Sequence, residues 1–147
     1  MVAWRAASAT LRERFGFAEV LSHATADDNQ RARAGSSDSA PAVRLKNPLQ
    51  QNAARLRRSL APALLEFVDR NIRTVEDVRL FECGRVFLPD RGDGEIPGQP
   101  LTLCAVIAER VTRKGESGRL LRQLKGAVED LGRVWRSSLR FEDGIGA

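Results

Sequence analysis

The chain has 147 residues, 42% of them hydrophobic and 29% charged, with a formal net charge of +5; that is enough for one globular domain and too little for two ordinary ones. No apolar run approaches the roughly 18–20 residues needed to cross a membrane, and the opening Met1-Val2-Ala3-Trp4-Arg5 lacks the charged-then-apolar order of a secretion signal, so a soluble, cytoplasmic protein is expected. The basic charge comes from 21 arginines and 3 lysines spread along the chain, and aromatics at 5% with no tyrosine supply no stacking platform for single-stranded nucleic acid.

Residues 3–15 read as an amphipathic helix, with Trp4, Ala7, Leu11 and Phe15 on one face and Gly16 as its stop. Phe17 to Ala24 (FAEVLSHA) reads as a strand. Residues 26–42 are small, polar and mixed in charge, and are expected to form a flexible polar loop within a single domain spanning 1–147. Val43 to Leu45 is a short extended piece ending at the Asn47-Pro48 turn. Ser59 is placed to cap a helix from Leu60 to Ile72, with Pro62 tolerated in its first turn and an apolar stripe at Leu60, Leu64, Val68 and Ile72.

Val78 to Phe87 (VRLFECGRVF) is the strongest strand pattern. After the turn-rich Pro89 to Gly94 comes Leu101 to Ala108 (LTLCAVIA), which is apolar on both faces and so expected mid-sheet, pairing antiparallel with the preceding strand. Residues 117–136 form the last helix, with Leu120, Leu124, Val128, Leu131 and Val134 as its buried stripe. The order suggests an α+β domain with a mostly antiparallel sheet flanked by helices. Cys83, Cys104 and the single histidine, His23, lack metal-ligand spacing, and His23 has no motif of a general base around it, so neither metal nor catalytic residues are assigned.

Three stretches go further: GFAEV at 16–20; Asn47-Pro48-Leu49 followed by LRRSLAPALL at 56–65; and VRLFECGRVF at 78–87. In this order and spacing the chain resembles the core domain of the phenylalanine–tRNA ligase β subunit, over roughly residues 10–135, with a weaker match at LKGAVE, 124–129. It departs from the family at Gln123, where an acid is usual, and in the loop at 26–42. The resemblance implies a catalytic-like, inactive module of the class II synthetase fold, incomplete here. The helix at 3–15 and the strand after it are similar to the first class motif, and the strand at 78–87 with its following loop to the second.

Amino-acid activation places developing negative charge on the ATP α-phosphate, and a preorganised cation must meet it. In active class II enzymes an arginine follows the phenylalanine of the second motif. Here Phe87 is followed by Leu88, Pro89 and Asp90, and the third motif is not identifiable. The resemblance therefore implies no cofactor in this segment, with ATP and Mg2+ belonging to the whole enzyme. It also implies an α subunit as partner in an α2β2 heterotetramer, with tRNA met at the level of the complex. Trp4, Leu11 and Phe15 are candidate subunit-interface residues, and Arg79, Glu82 and Arg85 are candidate interface or structural charges. The alternative is a free-standing regulatory or RNA-binding paralogue of the same inactive fold. A sheet of this class needs further strands, so an exposed edge and self-association are expected.

Overall fold

The computed structural model describes residues 2–26, 42–48, 54–89, 96–110 and 117–135, and the expected loop at 26–42 lies almost wholly outside them. The chain divides into two compact units, Met1–Phe17 with Val111–Ala147, and Ala18–Arg110.

In the first unit, α1 (Val2–Ala9) runs into a π-helical turn (Thr10–Arg14) instead of continuing as α-helix. The Thr10 hydroxyl donates to the Ala6 carbonyl at 2.9 Å, a back-bond of the kind that bends helices. Gly16, at φ +69°, ends the helix in the left-handed region that only glycine enters freely, and the Phe17 N–H returns to the Leu11 carbonyl at 3.0 Å. The last helix, here α3 (Ser117–Trp135), packs against α1 and the π turn. Ala7, Leu11, Phe17, Ala127 and Leu131 are buried in this unit. Asp130 is buried among them and accepts from Arg14 at 2.8 Å and from Arg133 at 2.6 Å.

The second unit is built on a three-stranded sheet in the order β1 (Ala18–Glu19), β4 (Asp77–Arg85), β5 (Leu101–Glu109). The β4–β5 pair is an antiparallel ladder along the full length of both strands, from Asp77 opposite Glu109 to Arg85 opposite Leu101. β1 joins β4 in parallel, so the sheet is mixed although most of its pairing is antiparallel. A second, two-stranded sheet holds β2 (Thr25–Ala26) against β3 (Arg55–Leu56). The expected extended piece at 43–45 borders β3 on its other side, through a bridge from Arg44 to Arg55 and a 2.9 Å bond from the Leu56 N–H to the Val43 carbonyl.

The helix α2 (Ala61–Asn71) lies across β4 and β5. Leu60 and Leu64 meet Val78, Leu80 and Val86, with Cys104, Val106 and Ala108 of β5 packed around them. Alternation along β4 places Val78, Leu80, Glu82 and Gly84 on this face. Phe81 lies on the opposite face and is fully buried.

Three expectations are corrected. The strand expected from Phe17 to Ala24 is broken: it leaves the sheet after Val20, whose N–H reaches the Phe81 carbonyl at 2.9 Å, and Leu21 is 80% exposed. Among the described residues β5 lies at the edge of the three-stranded sheet and β4 at its centre. Apolar character on both faces reports what covers the faces of a strand, not what pairs with its edges. Ser59 is not the residue at the helix cap: Leu60 is, without a side-chain cap, and the Ser59 hydroxyl accepts from Ala61 N–H at 3.2 Å.

Leu64 and its neighbour Leu65 separate core from surface, since Leu64 is 1% exposed and Leu65 44%. Leu64→Ala is expected to lower unfolding free energy by about 2–5 kcal/mol, and Leu65→Ala by less than about 1 kcal/mol, as measured by urea denaturation.

Candidate functional site

The most constrained polar arrangement in the second unit grows from the inward face of β4. Between Leu80 and Val86, which both pack in the apolar cluster under α2, the next residue on that face is Glu82, which is 1% exposed. A carboxylate at that depth needs a cation and hydrogen-bond donors. Arg57, one residue past β3, supplies the cation: its Nη1 lies 2.7 Å from Glu82 Oε1, and its side chain is 10% exposed. Ser22 supplies the rest, donating from its hydroxyl to Oε2 at 2.7 Å and from its backbone N–H to Oε1 at 3.2 Å.

Arg57 does more than neutralise. Its Nη1 also donates to the Ser22 hydroxyl at 2.7 Å and to the Ser22 carbonyl at 3.1 Å, and its Nε donates to the Arg85 carbonyl at 3.0 Å. Its backbone N–H reaches the Ala24 carbonyl at 2.9 Å, and its carbonyl accepts from Phe87 N–H at 2.8 Å. One residue thus ties the segment after β1, the end of β3 and the end of β4 to each other. Gly84 makes the approach possible: a Cβ there would overlap Arg57 Nη2 and stand 3.2 Å from its Cζ. The break in the expected 17–24 strand has its cause here, because Ser22 spends its backbone N–H on Glu82 rather than on a ladder.

The sequence-derived charges divide accordingly. Glu82 is a buried anchor. Arg79 pairs with Asp77 at 2.8 Å near the start of β4, on the face that also carries Phe81, and Arg85 donates to the Gln99 carbonyl at 2.9 Å. In the first unit Leu11 is 1% exposed, whereas Trp4 and Phe15 are half-buried and Arg14 stands 5.9 Å from the Phe15 ring centre. Ser22 and Arg57 were not among the sequence candidates. The signal for them was a glycine two residues beyond a glutamate on the buried face of a strand. At the end of the second motif, the Leu88 N–H donates to the Gly98 carbonyl at 2.9 Å. Among the described residues, no group of three or more His, Cys, Asp or Glu is placed to hold a metal ion, and no helix is long and apolar enough to cross a membrane.

A family model described as the phenylalanyl tRNA synthetase beta chain CLM domain matches residues 3–144. The chain belongs to that family. The "Phenylalanine--tRNA ligase beta subunit" of Leifsonia xyli subsp. xyli is 34% identical over 134 residues, covering 75% of this chain and 16% of the relative. The protein of the same description from Geobacter metallireducens is 40% identical over 74 residues, covering 50% of this chain and 9% of the relative. The chain thus spans a small part of the length of these relatives. Among solved structures, a pyrrolysyl tRNA synthetase of Desulfitobacterium hafniense superposes with a TM-score of 0.64 at 16% identity, over 92% of this chain and 45% of the other. That likeness establishes the class II synthetase-like fold.

In this family member three residues of the stretches that carried the resemblance belong to the Arg57 network: Arg57 from the LRRSL stretch, and Glu82 and Gly84 from the strand. The same anion acts on the thiols. Burial, chiefly, and then the negative charges of Glu19 and Glu82 push the Cys83 thiol above the ordinary range. Burial and then Glu82 do the same to Cys104. Both cysteines are free.

Two outcomes follow. Glu82→Ala strands a buried guanidinium and is expected to cost about 3–5 kcal/mol in urea unfolding. Gly84→Ala is expected to cost about 1–3 kcal/mol and to lose most of that cost in an Arg57→Ala background; additive costs would contradict the packing of Arg57 over Gly84. For the thiols, the folded state holds its protons to higher pH than the unfolded chain does. Their contribution to stability is therefore complete below the ordinary thiol pKa and is lost as pH rises through the raised folded values. Replacing both cysteines with alanine should flatten the fall in urea midpoint as pH rises above the ordinary thiol pKa.

Proposed function

We propose that the chain is a non-catalytic core module of a phenylalanine–tRNA ligase β subunit. In this reading it supports an α subunit that carries out the ATP-dependent attachment of phenylalanine to tRNA, within a cytoplasmic α2β2 assembly. ATP, Mg2+ and tRNA belong to the assembled enzyme, and both compact units are parts of one synthetase-like core domain. One observation carries the reading. Two charged residues of the family-like stretches, Arg57 and Glu82, are buried against each other, and Phe87 is followed by Leu88 and Pro89. Leucine cannot neutralise a phosphate, and proline withholds a backbone donor, so the developing charge of amino-acid activation meets no cation there.

On the α1 side, Leu11 supports the helix from within, and Trp4 and Phe15 retain exposed surface for a partner helix. Arg79 and Arg85 remain candidates for contact at the rim, where charge sets orientation more than affinity. The test is sedimentation of the folded chain with a phenylalanine–tRNA ligase α subunit from the same genome. Specific association is expected, weakened about tenfold or more by Phe15→Ala or Trp4→Ala, since half-buried aromatics are typical anchors. A folded chain that does not bind would contradict the proposal and favour a free-standing paralogue.

A further inference from the structure

The first helix holds one residue more than α-helical winding would. Thr10–Arg14 is a π turn, in which each N–H reaches five residues back instead of four. Such turns are rare, because the wider winding interrupts the regular ladder. The surplus shows again at the exit. A helix ended by a left-handed glycine usually returns the N–H of the next residue five positions back. Here Phe17, which follows Gly16 at φ +69°, returns its N–H to the Leu11 carbonyl, six positions back, at 3.0 Å.

Two polar ties bear on the turn. One is local and exposed, from the Thr10 hydroxyl to the Ala6 carbonyl at 2.9 Å. The other crosses to α3, where Arg14 Nη1 meets Asp130 Oδ2 at 2.8 Å. The second Asp130 oxygen already receives Arg133, three residues on, at 2.6 Å. The Asp130 side chain is 10% exposed and that of Arg14 is 66% exposed. The anion is therefore the fixed partner, and its free oxygen requires a donor that the helix end must bring to it. On the other side, burial of Ala7 and Leu11 anchors the same helix. The segment is pinned at two phases, by Ala7 and Leu11 before and within the turn and by Arg14 at its end.

We propose that the Arg14–Asp130 pair is a register lock. The carboxylate on α3 keeps the surplus residue wound into the π turn. With the pair broken, Thr10–Arg14 rewinds as α-helix and the surplus passes into the Gly16 turn. A shift of one residue is a rotation of about 100° at 3.6 residues per turn, so release turns Phe15 against the anchored Leu11. The lock is a property of this chain and does not rest on the α-subunit reading; it bears on that reading only through the direction in which Phe15 is offered.

NMR couplings across hydrogen bonds name the carbonyl that each amide bonds, and so read the register directly. In the wild-type chain the amide of residue 14 is expected to couple to the Ala9 carbonyl, five positions back. Arg14→Met alters an exposed side chain. It is expected to move that coupling to the Thr10 carbonyl, four positions back, and to lower the exchange protection of the Phe17 amide about tenfold or more. Asp130→Leu, which removes the anion from the opposite side, is expected to do the same. Thr10→Val keeps the ion pair and removes the hydroxyl, and the π turn is expected to survive it. A folded Arg14→Met chain that keeps the coupling to Ala9 would overturn the proposal. So would loss of that coupling in Thr10→Val, which would make the turn a local effect of the hydroxyl.

Discussion

The second unit depends on one buried ion pair. Its sheet is short on the β1 side, and the helix α2 covers only part of β4. Between Leu80 and Val86, both packed in the apolar cluster under α2, the inward face of β4 is held by Arg57 and Glu82. Such a pair adds little net stability compared with a well-packed apolar substitute, but its loss on one side is severe. What it supplies here is geometry. A guanidinium has donors fixed in a plane, and Arg57 distributes them over the Glu82 carboxylate, the Ser22 carbonyl and hydroxyl, and the Arg85 carbonyl. Segments far apart in sequence are thereby held in one arrangement.

The same pair explains why the family-like stretches can be retained by a chain that lacks the activating arginine. Residues that look like a catalytic motif need not face a substrate. Gly84 is present because the guanidinium passes over it, Glu82 because the guanidinium needs a counter-charge, and Ser22 because the second carboxylate oxygen needs a donor. The fold of a synthetase is kept, and the charged positions within it serve cohesion.

Much of this was legible in the sequence. The periodicity of Leu60, Leu64 and Val68 located α2, and the alternation of VRLFECGRVF located β4, because each pattern is long enough to distinguish a helix from a strand. β3 was invisible, since a two-residue strand has no period. The break after Val20 was invisible too: FAEVLSHA has strand-like composition, and only the long-range demand of Glu82 on Ser22 diverts it. The position of β5 at an edge followed from pairing, which a single strand's pattern does not encode. For the charges, alternation does place Glu82 on the face of Leu80, yet a glutamate within a strand ordinarily signals the solvent side. Its partner Arg57 was one of 21 arginines, and nothing local set it apart.

Native-state hydrogen exchange tests the central claim most directly. The amides of Ser22, Arg57 and Phe87 bond to Glu82, Ala24 and Arg57 respectively, so they sample all the segments joined at the ion pair. If the pair holds those segments as a unit, Glu82→Gln should lower the protection of all three amides together, while the Val78 and Leu80 amides beneath α2 change less. Loss confined to Ser22, with Arg57 and Phe87 unchanged, would contradict the account and reduce the pair to a local contact.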